Sequence, residues 1–194
     1  GITLVPGDCV YVDLNADGEI NSNDATRDIG YTDMPEYTAG LNTGFSWKNF
    51  DFSMQWTGAW NVDRMLDEFR RPLGDTNEKG LLLYQYDTTW RSSADTFTAK
   101  FPRTSSLHAS NNYAGSDLYL INASYLRLKS VEIGYNFNFP FMKKLKMDNC
   151  RLYVNGYNLI TITGFKWGDP ESRQSSRPNY PLTRVFNIGL KLGF

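Results

Sequence analysis

The sequence predicts an all-β chain of antiparallel, up-and-down strands. Three observations carry this. Apolar and polar residues alternate with period 2 over stretches of about ten residues. Short turns and long connections take turns between those stretches. No segment approaches the roughly 18 consecutive apolar residues that a membrane-spanning helix needs. The alternation places strands at about 38–47, 50–60, 124–139, 149–162 and 184–194. Residues 1–37 form a loop region ahead of them, and the long loops are 61–123 and 163–183.

Within 1–37, Asp13-Leu14-Asn15-Ala16-Asp17-Gly18-Glu19-Ile20-Asn21-Ser22-Asn23-Asp24 follows the twelve-residue calcium-loop template. Asp13, Asn15 and Asp17 take its first three ligand positions. Gly18 permits the sharp turn, and Glu19 offers its carbonyl. Asn21 and Asp24 take the ninth and twelfth places. Calcium is a hard cation and seeks about seven oxygens, which alternate side chains supply by converging on one point. Asp24 departs from the template by replacing Glu and is one carbon shorter, so the loop must close more tightly or bind through a single oxygen there. Asp-ending loops resemble those of dockerins, but no second loop is present to make a dockerin pair. The competing reading is a turn rich in Asp, Asn and Gly that binds nothing.

The first hairpin alternates Ala39, Leu41, Thr43, Phe45 and Trp47 with Thr38, Gly40, Asn42, Gly44 and Ser46. After Lys48-Asn49, the set Phe50, Phe52, Met54, Trp56, Gly58 and Trp60 alternates with Asp51, Ser53, Gln55, Thr57 and Ala59. These strands are longer than the usual five or six residues and carry small polar residues on one face, which favours a barrel wall. The 61–123 loop reads as a helix over Val62–Arg71, with Val62, Met65, Leu66 and Phe69 on one stripe, ended by Pro72. A second short helix is expected from Glu78 to Arg91, followed by a Ser/Thr/Asn-rich loop.

In the second hairpin, Leu126 and Leu128 share one phase, whereas Val131, Ile133, Tyr135, Phe137 and Phe139 share the other. A bulge or a change of environment near Ser130 reconciles them. Pro140 stops that strand, a basic turn follows, and Arg151–Ile162 returns. The last strand puts Phe186, Ile188, Leu190, Leu192 and Phe194 on one face, and Asn187, Gly189, Lys191 and Gly193 on the other. Its apolar face suits either a β-sandwich core or the lipid side of a membrane barrel.

Net charge is −1, so neither nucleic acid nor an anionic surface is an obvious partner. Aromatic residues make up 15% of the chain although the mean hydropathy is −0.47, which suits aromatic girdles or a sugar-binding surface. Cys9 and Cys150 are too few and too distant for a disulfide framework, and both are expected to be free. The start lacks a signal-peptide pattern, which fits a cytosolic chain, a mature one or a piece of a longer one. No nucleophile elbow, phosphate loop or paired-histidine zinc motif occurs. His108 reads as a solvated loop residue. Asp67-Glu68 and Asp169-Pro170-Glu171 are carboxylate pairs without a stated geometry, and Arg70-Arg71 reads as a solvated helix end. Trp90 and Trp167 are loop aromatics that anchor their loops or stack on a sugar. The chain reads as a non-enzyme.

Several segments in one order carry a resemblance: Gly7-Asp8-Cys9-Val10-Tyr11-Val12-Asp13 entering the acidic loop; Pro35-Glu36-Tyr37-Thr38-Ala39-Gly40; Ser124–Tyr135; Tyr153-Val154-Asn155-Gly156-Tyr157-Asn158-Leu159; Tyr180-Pro181-Leu182-Thr183-Arg184; and the terminal Phe194. Together they resemble the C-terminal end of the SusC/RagA family of TonB-dependent outer-membrane transporters. The resemblance implies a section of a transmembrane β-barrel of about 22 strands, with long extracellular loops that carry short helices. It further implies a plug and remaining barrel outside this chain, and TonB engaged through the N-terminal part. A SusD-like surface lipoprotein as lid, outer-membrane lipid around the wall, and glycans or peptides as cargo complete the implication. The alternative is a secreted, calcium-stabilised β-sandwich that binds carbohydrate. The two differ in where the apolar face of the last strand points.

Overall fold

The structure, a computed structural model, describes residues 3–67, 83–140, 146–172 and 182–194. Five long strands form one sheet: β1 (Tyr37–Trp47), β2 (Phe50–Trp60), β5 (Tyr125–Phe137), β6 (Asn149–Thr163) and β7 (Val185–Gly193). Each is antiparallel to the next, in the order β1-β2-β5-β6-β7. Two short strands, β3 (Asp63–Met65) and β4 (Leu120–Asn122), pair separately. By their contacts the residues form two compact units, 1–30 with 64–121 and 31–63 with 122–194. This differs from a division after residue 37, because the long central segment packs with the N-terminal residues instead of standing as a loop.

Register explains the sheet's two-sidedness. Trp47 faces Phe50, Phe45 faces Phe52, and Leu41 faces Trp56, so both strands of the first hairpin send their apolar sets the same way. Phe50, Phe52 and Met54 then face Tyr135, Ile133 and Val131. Val154 of β6 lies between Ile133 and Ile188, and Leu152 lies between Tyr135 and Leu190. The phase flip in β5 is absorbed by a bulge. Gln55 faces Ser130 but Trp56 faces Leu128, which leaves Lys129 over. Against β6, Leu128 faces Ile160 and Ser130 faces Tyr157, so Lys129 is skipped again and Asn158 and Leu159 are surplus. Asn158 takes the turn with φ 55°, a left-handed value that Asn tolerates better than most residues. Leu126 and Leu128 thereby share a face with Val131 and Ile133 despite their opposite parity.

That shared face is bare. Phe186 is 70% exposed and Ile188 is 74% exposed, and Leu41, Phe45, Phe50, Ile133, Val154, Ile160, Ile162 and Leu190 are exposed as well. Among the described residues no second sheet covers them, which overturns the sandwich reading, since a sandwich core buries this set. Aromatic contacts gather toward the short-turn end. Phe50 and Tyr135 lie 4.6 Å apart by ring centroid, Tyr135 and Phe137 4.8 Å, and Phe137 and Phe139 5.2 Å. Tyr37 and Trp60 pair at the opposite end. Ten strand steps from Phe50 to Trp60 cover about 33 Å, or about 23 Å at a 45° tilt, close to the ~25 Å apolar band of a barrel.

The helix expected over Val62–Arg71 is corrected. Residues 63–65 are strand β3, and 68–71 lie outside the described residues. Hydrogen bonds from Ala123 N to Val62 O and from Leu66 N to Tyr119 O, both 2.8 Å, hold the segment extended. Val62, Asp63, Arg64 and Leu66 are all buried, so burial on both faces erased the alternation that marks a strand. Within the second expected helix, α1 spans Leu83–Thr88, while 78–82 lie outside the described residues.

Deletion of Lys129 tests the bulge. It is expected to turn Arg127 onto the apolar face and Leu126 and Leu128 onto the polar one, abolishing the cooperative unfolding transition in detergent followed by circular dichroism. Lys129→Ala, which keeps the residue count, leaves the transition in place.

Candidate functional site

The sheet's second face is polar and built around two arginines. Arg127 stands on β5 between Thr57 and Thr161 and is only 1% exposed. Its Nε donates to Thr161 Oγ1 at 3.0 Å. Nη2 donates to both oxygens of Asp169, at 2.8 and 2.9 Å, and Nη1 donates to Glu171 Oε2 at 2.6 Å. Lys129 Nζ adds a contact of 3.3 Å to the same Glu171. One strand thus clasps the turn that follows β6. Nearer the short turns, Arg151 of β6 donates to Asp51 of β2 and, at 2.7 Å, to Glu132 of β5. Asn155 Nδ2 donates to Glu132 at 3.1 Å, and Asn187 Nδ2 donates to Asn155 Oδ1 at 2.9 Å. A hydrogen-bonded band therefore crosses four strands.

In the unit of residues 1–30 and 64–121, the centre is Asp8, whose side chain is fully enclosed. Its Oδ2 accepts from Val5 N at 3.0 Å and lies 2.6 Å from His108 Nδ1. Its Oδ1 accepts from Arg103 Nε at 2.6 Å and from Asn112 Nδ2 at 2.9 Å. Burial acts to raise its pKa, but the Val5 amide and the Asn112, Arg103 and His108 side chains outweigh it and hold the carboxyl well below the usual carboxylate range. Asn112 is 0% exposed and also accepts from Cys9 N at 3.0 Å. His108, read from sequence as solvated, is instead buried at 8% exposure. Its carboxylate partner stands one hundred residues earlier in the chain, beyond the reach of any local pattern. Gly7 takes φ +91°, and the Trp90 ring packs where a Cβ would sit, only 2.2 Å away, so Trp90 is an anchor.

The acidic loop is ordered by its own amides. Asp13 accepts from Gly18 N at 2.8 Å, Asp17 from Glu19 N at 2.8 Å, and Asn15 from Asp17 N at 3.0 Å. Asn21 and Asp24 form a reciprocal cap on a single turn of 3-10 helix, Ser22–Asp24. Asp24 is buried, and the Asn21 amide, with those of Leu14 and Asn15, holds its carboxyl below the usual range against desolvation. Among the described residues no three His, Cys, Asp or Glu side chains gather closely enough to hold a metal ion. Cys9 and Cys150 are free thiols.

TonB-dependent receptor P3 of Formosa agariphila is 30% identical to this chain over a 206-residue alignment that covers 97% of the chain and 19% of that protein. SusC of Bacteroides thetaiotaomicron, a TonB-dependent receptor, is 28% identical, with 97% of this chain and 18% of SusC covered. The chain spans about a fifth of the length of these relatives. The RagAB peptide importer in its closed-closed state superposes with a TM-score of 0.66 at 20% identity, covering 92% of this chain and 20% of the matched one. No family model matches.

The chain belongs to the SusC/RagA-type TonB-dependent receptors. The five-stranded sheet, with one bare apolar face and one ion-paired polar face, has the fold of the strands in these outer-membrane barrels. Within this SusC-like segment the polar-face residues escaped sequence reading. Arg127 and Arg151 differ from solvated arginines only in sharing the polar parity of their strands, and Asp169 and Glu171 acquire meaning only once Arg127 is beside them.

Removing Asp8 strands the buried His108 and the half-buried Arg103. Asp8→Ala is expected to cost about 3–5 kcal/mol in the unit that holds it, read as faster amide exchange over residues 5–11 and 103–112. A carboxyl held below its ordinary value stabilises fully above pH about 4 and loses that contribution as pH falls further. Protection of these amides should therefore be flat from neutrality to about pH 5 and fall at lower pH in the native protein, and this acid-dependent fall should be missing in Asp8→Ala.

Proposed function

We propose that this segment forms part of the wall of an importer that brings glycans or peptides across the outer membrane. The single observation that carries the reading is a sheet with one exposed apolar face and one face closed by ion pairs, in strands as long as 15 residues. On this reading the apolar face lies against lipid and the Arg127 and Arg151 bands line the lumen. Among the described residues β1 and β7 are the outer strands of the sheet, and on this reading they join the remaining strands, around a plug that engages TonB through the N-terminal part of the receptor. The SusC and RagAB likenesses support a SusD-like surface lipoprotein as lid. Peptide is what the RagAB transporter is named for, and glycan is the other cargo proposed for this receptor.

In the full receptor, Ile188→Arg places a charge at mid-strand on the lipid side and is expected to cost about 2–4 kcal/mol, lowering the amount folded in outer membranes, while Asn187→Arg on the lumen side is tolerated. Deleting the receptor should abolish growth on one glycan or peptide class as sole nutrient. Affinity-tagged receptor should bring down a surface lipoprotein. Equal tolerance of both arginines, together with unchanged growth on every such nutrient, would sink the proposal.

We also propose that calcium occupies the Asp13–Asp24 loop. The alternation of Asp13, Asn15 and Asp17, the left-handed Gly18 at φ +86° and the inward-turned Asp24 support this. Asp13, Asn15, Asp17, Glu19 through its carbonyl, Asn21 and Asp24 would hold the ion. EDTA is expected to lower the melting temperature of the wild-type receptor and to leave Asp17→Ala unchanged. The same EDTA shift in both proteins, or none in either, rejects the site.

A further inference from the structure

A groove of about 320 Å³ opens on the apolar face between β1, β2 and β5, lined by Ala39, Gly40, Leu41, Trp56, Trp60 and Leu126. Its origin lies in residue size. Ala39 faces Gly58 and Gly40 faces Thr57, so the sheet is low at this point. The larger side chains around the low ground make the walls. Gly58 also lets the Trp60 ring lie over β2, since a Cβ there would come within 2.6 Å of it. Trp56 Nε1 donates to Met54 Sδ at 3.4 Å, so that indole donor is already engaged.

We infer that this groove holds one acyl chain of a membrane lipid more firmly than the surrounding face does. The side chains that line it are hydrocarbon and indole, so a polar occupant would forfeit its hydrogen bonds. It is continuous with the exposed apolar face that the proposed function sets against lipid, and the inference rests on that reading. It also lies beside the Tyr37–Trp60 pair, the aromatic row at the end away from the short turns. Aromatic rows of this kind mark the headgroup level of a barrel, from which a chain would run down into the groove. A recess that encloses a chain on several sides gains more dispersion contact per carbon than an open ridge of side chains. Elsewhere on the same face Ile188 and Phe186 stand clear of any such enclosure.

The test uses the full receptor in vesicles of phosphatidylethanolamine and phosphatidylglycerol containing phosphatidylethanolamine with a diazirine in one acyl chain. One sample is irradiated in the vesicles and another after exhaustive exchange into detergent, and adducts are mapped on tryptic peptides 49–64 and 185–191. The expected result is label on both peptides in vesicles, and after exchange label that persists on 49–64 at Trp56 or Trp60 and is lost from 185–191. Ala39→Phe, which fills the groove from its floor, should remove the persistent label without changing the vesicle pattern on 185–191. Label lost equally from both peptides on exchange overturns the groove while leaving the lipid-facing reading intact. No label on 185–191 in vesicles overturns that reading and the inference with it.

Discussion

Segregation of the two sheet faces is the constraint on which everything else in the wall depends. A strand has only two sides, so a slip of one residue exchanges the entire apolar set for the polar one. Five strands must agree, and β5 could not agree with itself if it were regular. The bulge at Lys129 restores agreement by adding one unpaired residue where the sequence changes phase. Without it, Arg127 would stand among exposed leucines and isoleucines, far from Asp169 and Glu171. The cost of a charge in an apolar setting makes that arrangement untenable, so one inserted residue protects both the apolar face and the ion cluster behind it.

The polar face uses charge differently from an ordinary protein surface. Arg127 is enclosed, and its desolvation is offset only because Asp169, Glu171 and Thr161 take up its donors together. Planarity suits arginine to this work, since one guanidinium can serve two carboxylates and a hydroxyl at once. Arg151 repeats the arrangement across β2, β5 and β6. The unit of residues 1–30 and 64–121 inverts it, with one carboxylate at the centre and four donors around it. In all three clusters the central charge meets side chains that lie at least 19 residues away in sequence, so each serves as a fastening between distant parts of its own unit.

What was legible follows from the range of the forces involved. Alternation and turn residues are local, and they placed β1, β2, β5, β6 and β7 within a few residues of their observed ends. The phase flip in β5 was also visible, because Leu126 and Leu128 cannot share parity with Val131. The segment at Val62–Leu66 misled, since burial on both sides hides a strand's period and leaves an apolar spacing that a helix would fit equally well. His108 misled for a different reason: an isolated histidine carries no sign of a carboxylate one hundred residues away.

The sequence by itself determined that the chain has long two-faced strands, joined by short turns on one side and long segments on the other, because period and turn chemistry are written in neighbouring residues. It also carried the resemblance to SusC-type receptors. The sequence left the apolar face open between a core and a membrane, and only the tertiary structure showed that, among the described residues, no second sheet covers it, because exposure depends on what packs against a face and not on the face's own composition. The ion clusters and the groove beside Trp60 were likewise decided there, since each is made by residues that meet only when distant strands come into register.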